Sequence, residues 1–440
     1  MSFGKYKFLT IFIAAYLFRL GFGLLSPPIL TISDATQSYL IGLKSYTTNT
    51  WPYFGPDTED PSEGSFKAQC PGALEGLMVA VPLWMWPDPL CPYLLVNLLS
   101  VTALAFLGWY VRKRLPNLSP WVIYPWLFLA PWDTHISTQV FNLSYAMVGS
   151  ILFFVGFTET IPGLKKDVIS GSWANAMMGF SLFWIMQFHM SWVLFLAFSF
   201  ISFFFQLKSP PRGKGILFFF LGAIPSFVFV LPTFVVYGLR GTGELSGLLS
   251  RFDYGHFKSY FTILARFFSF ACFEMPRFIG SHTPERKAFL LESPLLMVSG
   301  IFLMVTGWIQ AVIMLVLLFK KDHSKPEWQR LKLLVLGTSL LIWVSFWFTI
   351  RNPDAHRFYL TFPVAMIYFF YCWDLTMSES RRRKLGFILI LTAVVFQFFY
   401  ALQSSIDGKS VFLTEREKIA KAIELKDYRI LAERRSDSLY

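Results

Sequence analysis

The segment from Pro294 to Phe319 runs without one charged side chain, and it is the hardest part of this chain to fit into a water-soluble fold. A bilayer core is crossed by roughly 20 apolar residues in helical form. Inside hydrocarbon a backbone must satisfy its own hydrogen bonds, so such a segment is a helix unless it closes into a barrel. Comparable apolar runs recur at Phe8–Leu25, Leu90–Val111, Asn142–Ile161, Ile216–Tyr237, Leu333–Ile350 and Gly386–Ala401. More than half of the 440 residues are apolar and only 15% are charged, too much hydrocarbon for one soluble core. The expected fold class is all-α: a polytopic helical membrane protein, with short amphipathic helices in its first outer loop.

The net charge of +12 would suggest nucleic acid in a soluble protein. Here the basic residues fall in short clusters between apolar runs, which is the pattern of membrane topology, and no nucleic-acid partner is expected. Placing Lys5 and Lys7, Arg112–Arg114, Lys165 and Lys166, Lys208–Lys214, Lys320 and Lys321, and Arg381–Lys384 in the cytoplasm gives a self-consistent order of about eleven spans. The additional spans are Trp121–Pro131, which is short, Ala174–Gln187, Trp192–Gln206 and Tyr359–Trp373. Two apolar stretches are left out: Leu74–Trp86, short and flanked by Pro71 and Pro87, and Tyr260–Met275, interrupted by Arg266 and Glu274. The first helix is read as uncleaved, since Arg19 interrupts it and no small-residue cleavage site follows. The domains expected are a core over 1–237 with a first outer loop at 27–89, a second outer loop at 238–293, C-terminal spans over 294–403, and a charged tail at 404–440. The tail's lysines and arginines would suit the cytoplasm, whereas the stronger cluster at the other end of the last span puts it outside. No Cys/His spacing marks a zinc site. Cys70 and Cys91, both at the outer surface, could pair in an oxidising compartment.

With this orientation the informative polar residues gather on the outer face: Asp34, Lys67, Asp133, His135, Gln187, His189, Arg351, Asp354, His356 and Arg357. Within the first outer loop, Ile32–Pro71 is the one long polar, acid-bearing stretch in the first half of the chain. Tyr39, Leu40, Leu43 and Tyr46 recur at roughly helical spacing after Asp34, as in a short helix lying on the membrane with its acid at one end.

The order of elements resembles the GT-C superfamily of polyprenyl-phosphate-dependent glycosyltransferases, in particular the bacterial relatives of protein O-mannosyltransferases and aminoarabinose transferases. The resemblance rests on SDATQSY in the first outer loop, on FKAQCPGALEGL from Phe66 to Leu77, on PWDTHISTQVFNLSY with Asp133, and on RFYLTFP from Arg357. It implies that Asp34 is the catalytic carboxylate, that Lys67 lies near a lipid phosphate and that Asp133 is a second acid. Ala35 stands where the family's usual acidic pair has its second member. The implied partners are a polyprenyl-phosphate-linked sugar, a glycan, lipid or protein acceptor, and membrane lipids.

Chemically, removing a sugar from a phosphoryl lipid needs a base for the acceptor hydroxyl and cations for the departing phosphate. Asp34 could accept the proton, or cap its helix. Lys67, His189 and Arg357 could stabilise the phosphate, or snorkel to the headgroups. Asp133 and His135, with His356, are candidates for binding the acceptor or for a second acid. No cofactor is implied with certainty, and a divalent cation at Asp133 and His135 is left open. The expected function is an inverting glycosyltransferase of the cell membrane acting at its outer face. The rivals are an envelope polysaccharide polymerase or ligase working from the 238–293 loop, and a transporter or flippase, which would carry charges near the bilayer midplane and two related halves.

Overall fold

The computed structural model describes residues 4–27, 32–57, 69–208, 213–238, 254–270, 283–320, 326–348 and 355–432. The chain is an all-α polytopic membrane protein. Its helices are α1 (Lys5–Leu25), α2 (Ile32–Thr48), α3 (Leu74–Met85), α4 (Cys91–Arg114), α5 (Pro120–Leu129), α6 (Pro131–Ser137), α7 (Asn142–Thr160), α8 (Gly171–Met186), α9 (Trp192–Lys208), α10 (Lys214–Phe227) and α11 (Leu231–Tyr237). They continue with α12 (Tyr260–Ser269), α13 (Thr283–Glu292), α14 (Pro294–Phe319), α15 (Pro326–Phe346), α16 (Phe362–Thr376), α17 (Glu379–Ile406), α18 (Val411–Glu424) and α19 (Arg429–Ala432). Two 3₁₀ turns, Tyr254–Ser259 and Ala355–Thr361, lead into α12 and α16. A short antiparallel hairpin, β1 (Phe54–Asp57) with β2 (Gln69–Pro71), pairs Phe54 with Pro71 and Asp57 with Gln69.

Among the described residues seven helices are long and apolar enough to cross a membrane, or eight if α10 and α11 count as one span. That pair was expected as one straight span over Ile216–Tyr237. It bends by 71° instead. Pro225, which lacks a backbone N–H, stands just before the break, and Pro232 just after it. The Leu74–Trp86 stretch forms the 12-residue α3, too short to span, and Tyr260–Met275 contributes the 10-residue α12.

The core lies around α7 and α16. Every residue from Phe362 to Trp373 is buried, and Tyr368 Oη donates to Met314 O at 2.8 Å. α14 by contrast exposes Val298, Ile301, Val305, Ile309, Val312 and Val316. On a soluble protein such a stripe would be costly; on a membrane helix it faces lipid.

The helix ends sort into two faces, as the basic clusters led us to expect. On one, the guanidinium of Arg114 at the end of α4 meets Glu159 Oε1 at the end of α7 (3.1 Å) and Glu327 Oε1 at the start of α15 (2.5 Å). On the other lie the end of α1, the start of α4, α2 and the tail. Ser410 Oγ donates to Leu24 O at 2.5 Å, and Phe412 packs edge-on against Tyr93 at 5.0 Å. The charged tail therefore docks on the first-loop face, with Phe412, Ile419, Ala422 and Ile423 of α18 buried. Its charges did not decide its position; the apolar stripe between them did.

In a chain with its four native cysteines replaced, Glu417→Cys should react with an impermeant thiol reagent on intact cells, and Lys113→Cys only after permeabilisation. Labelling of both from the same side would overturn the two-face arrangement.

Candidate functional site

The first-loop face is built on the crossing of α2 and α3. A Cβ on Gly42 would lie 2.3 Å from Val79 Cβ and 2.7 Å from Gly76 O, so the two helices meet backbone to backbone. α2 is the short helix expected, and it buries Tyr39, Leu40 and Leu43. It begins at Ile32, which puts Asp34 in its first turn rather than at its cap. The side chain of Asp34 lies outside the described residues. One helical turn on, at the i+4 position that shares its face, Ser38 Oγ donates to Glu75 Oε1 at 2.5 Å.

Glu75 was not among the expected site residues. It sits in the first turn of α3 and is wholly buried. A signal was present in the sequence: an acid opening an otherwise apolar stretch between two prolines. Burying a carboxylate is costly unless its oxygens are hydrogen-bonded, so an acid at such a position marks either a structural network or a site.

The turn between α8 and α9 closes against this pair. Gln187 Nε2 donates to Phe183 O and Ser226 O, both at 3.0 Å, while its Oε1 accepts from Leu74 N at 3.3 Å. One amide thus joins the first turn of α3 to α8 and to the break before α11. Gly72 makes room for it: its φ is +122°, and a Cβ there would lie 2.4 Å from Gln187 Cγ. A Cβ on Gly55 would meet Glu75 Oε2 at 3.0 Å and Gln187 O at 3.2 Å. His189, two residues on, is half-buried, and its Nδ1 accepts from Ser191 N at 3.1 Å. The ring of Phe188 stacks on Tyr145 in the first turns of α7. The structure therefore gathers the Asp34 helix, Glu75 and the His189 turn on one face.

Cys70, on β2, is buried here, and Cys70 and Cys91 are both free thiols, not the disulfide considered above. Burial, with the nearby Glu75 carboxylate adding to it, pushes the Cys70 thiol up, so it stays protonated and unreactive at neutral pH.

Asp133 and His135 were expected on an outer loop. Both are instead buried on α6, in a stretch buried from Ala130 to Phe141. The reason is Arg19, which enters the membrane on α1. Its Nη1 contacts Asp133 Oδ2 and Phe128 O at 2.8 Å, and its Nη2 contacts Ser100 Oγ at 2.8 Å and Ser137 Oγ. Ser137 Oγ also reaches Asp133 Oδ2 at 3.1 Å, and Tyr359 Oη donates to Asp133 Oδ1. Both oxygens of Asp133 are thus held by the protein, in an ion pair rather than on a loop open to an acceptor. The imidazole of His135 packs against Phe22 at 5.8 Å and Tyr400 at 5.4 Å. No group of three or more His, Cys, Asp or Glu able to hold a metal occurs among the described residues.

Lys67, Arg351 and Asp354 lie outside the described residues. His356 and Arg357 stand in the 3₁₀ turn Ala355–Thr361, with side chains outside the described set. The turn itself is pinned: Tyr359 to Asp133, Ser150 Oγ to Leu360 O, and the indole of Trp132 against Phe358, Tyr359 and Phe362.

No family profile matches the sequence, and no curated protein matches it. Among solved structures the chain is similar to the archaeal oligosaccharyltransferase AglB from Archaeoglobus fulgidus, determined in complex with an inhibitory peptide and a dolichol-phosphate. The identity is 10% and the TM-score 0.38, over 92% of this chain and 56% of that one. The chain thus spans little more than half of that protein's length.

Removing one member of the Arg19–Asp133 pair leaves the other charged in a dry site. Arg19→Leu or Asp133→Leu should each cost about 3–5 kcal/mol in stability, and the double replacement should recover most of the loss. Thermal denaturation in detergent would read both effects.

Proposed function

We propose that the chain is a glycosyltransferase that takes its sugar from a polyprenyl-phosphate donor and passes it, with inversion, to a cell-envelope acceptor at the first-loop face of the membrane. The observation that carries this reading is the non-spanning helix α2, in which Asp34 stands one turn before Ser38 and its hydrogen bond to Glu75 at that face. A polyprenyl-linked substrate needs its lipid in the bilayer and its sugar in water. Short helices packed at the ends of spans are suited to such a boundary.

In this reading Asp34 accepts the proton of the acceptor hydroxyl as its oxygen attacks the anomeric carbon. The bond from that carbon to the phosphate oxygen breaks, and polyprenyl phosphate leaves carrying the added negative charge. Lys67 and Arg357 are the cations proposed to offset that charge, with His189 contributing as a neutral imidazole that donates through Nε2, since its Nδ1 accepts from Ser191 N. Glu75 stands near α2 as a second carboxylate, where the usual acidic pair of such enzymes is interrupted by Ala35.

The polymerase or ligase reading gains no support from His256, whose Nδ1 lies 2.7 Å from Phe346 O and whose side chain is buried. A transporter draws on two observations: the charged pair Arg19–Asp133 within the bundle, and the broken helix α10–α11. Both oxygens of Asp133 and both Nη groups of Arg19 are already engaged by neighbours, which suits a fixed strut better than a site that must release its ligand.

Asp34→Asn keeps size and hydrogen bonding but removes the base. It should leave the protein inserted and stable while transfer falls roughly 100-fold or more. Lys67→Gln and Arg357→Gln should raise the KM for the lipid donor. Near-normal transfer by the Asn variant would remove Asp34 from the mechanism, and absence of transfer by the wild type across polyprenyl-phosphate sugars would favour transport.

A further inference from the structure

On the face opposite α2, the ends of α4, α15 and α16 enclose a cavity of about 440 Å³ that has no part in the proposed transfer. Its size falls in the range of small-molecule sites. Its lining includes Arg114, Asn117, Lys166, Glu327, Tyr371 and Asp374. Two of these are spent on the protein itself. Arg114 donates to Tyr110, Glu159, Leu164 O, Glu327 and Tyr371, so its guanidinium is a fixed wall. Glu327 accepts from Arg114, Tyr371 and Lys166.

Three groups keep hydrogen-bonding capacity. Asp374 Oδ1 accepts from Arg382 Nη1 at 2.7 Å, while its Oδ2 has no hydrogen bond among the described residues. Lys166 Nζ is held by Glu327 Oε2 at 2.6 Å, leaving two of its three N–H groups. The amide of Asn117 is exposed. The lining of one cavity therefore offers an anionic acceptor, a cationic donor and an amide. Two carboxylates repel a simple anion, and Arg114 with Lys166 repels a simple cation. A ligand with both signs close together meets neither penalty.

The location narrows the class further. Ends of membrane-crossing helices lie where headgroups lie, and clefts between such ends are common headgroup sites. We propose that this cavity binds a zwitterionic phosphoethanolamine group, its primary ammonium on Asp374 and its phosphate on Lys166 and Asn117. A lipid headgroup is the natural source; a soluble phosphoethanolamine ester has the same chemistry. A choline headgroup cannot donate a hydrogen bond to Asp374, and a glycerol headgroup brings no positive charge.

The test uses the purified full-length protein, delipidated in detergent, and native mass spectrometry with phosphatidylethanolamine, phosphatidylcholine and phosphatidylglycerol of matched chains. Glycerophosphoethanolamine serves as the soluble competitor. Phosphatidylethanolamine should be retained roughly tenfold better than phosphatidylcholine, the worth of one charge-assisted hydrogen bond. Asp374→Asn should erase that preference. Because Asp374 also pairs with Arg382, Asn117→Ala, which disturbs no ion pair, is the second variant and should weaken retention of phosphatidylethanolamine. Competition by glycerophosphoethanolamine at equal concentration would support the site and assign it to a soluble ester. Equal retention of phosphatidylcholine, retention of phosphatidylglycerol at or above phosphatidylethanolamine, or unchanged selectivity in both variants would overturn the proposal.

Discussion

A charge pair inside the bundle organises the rest of the molecule. Arg19 on α1 and Asp133 on α6 are both wholly buried and 2.8 Å apart. An isolated ion in such surroundings is costly by several kcal/mol or more, so each group recruits neighbours until its hydrogen-bonding capacity is nearly filled. Ser100 of α4, Ser137 of α6 and Tyr359 of the turn before α16 are those neighbours. Four segments far apart in sequence are drawn to one point. The turn that carries His356 and Arg357 is positioned by the same network, through Tyr359.

A second knot does the same at the other face. Arg114 joins α4 to α7 through Glu159, to α15 through Glu327 and to α16 through Tyr371, with Lys166 completing the charge balance. In a membrane protein the apolar faces of helices choose weakly between a neighbour and lipid, because lipid tails are as apolar as leucine. Polar contacts of defined geometry therefore decide which helices meet and in what register. The apolar surface of α14, left facing outward, is the complement of that choice.

At the first-loop face the candidate site is assembled from elements that do not span. At Gly42 the backbone of α2 packs directly on Val79 and the Gly76 carbonyl of α3, and the Gln187 amide ties their first-loop face to α8 and to the bend before α11. Backbone contact of that kind resists sliding, as interiors do when there is no space to yield. The Ser38–Glu75 hydrogen bond fastens α2 to α3 one turn after Asp34. The tail adds a further restraint, since Lys44 of α2 lies over the ring of Tyr428, just after α18, at 5.6 Å.

Much of this architecture was legible in the order of the residues. Long apolar runs with basic ends dictated membrane-crossing helices and the two faces, because the cost of exposed hydrocarbon and of buried charge depends on residue type alone. The shortness of α3 and α12, the helix after Asp34, and the place of His189 in a turn followed from the same rules. Other features were decided by tertiary contacts. Asp133 and His135 read as loop residues because PWDTHIS is polar, yet a partner on α1 makes burial of the acid tolerable, and nothing local to either residue announces the other. Glu75 was hidden within an apolar stretch for the same reason, its meaning resting on Ser38, thirty-seven positions away. The bend at α10–α11 required both its flanking prolines and hydrogen-bond partners on neighbouring elements: Tyr53 O accepts from Thr233 Oγ1, and Ala73 N donates to Phe229 O within the bend. Residue type fixes what each group needs, and only the packed chain determines which neighbour supplies it.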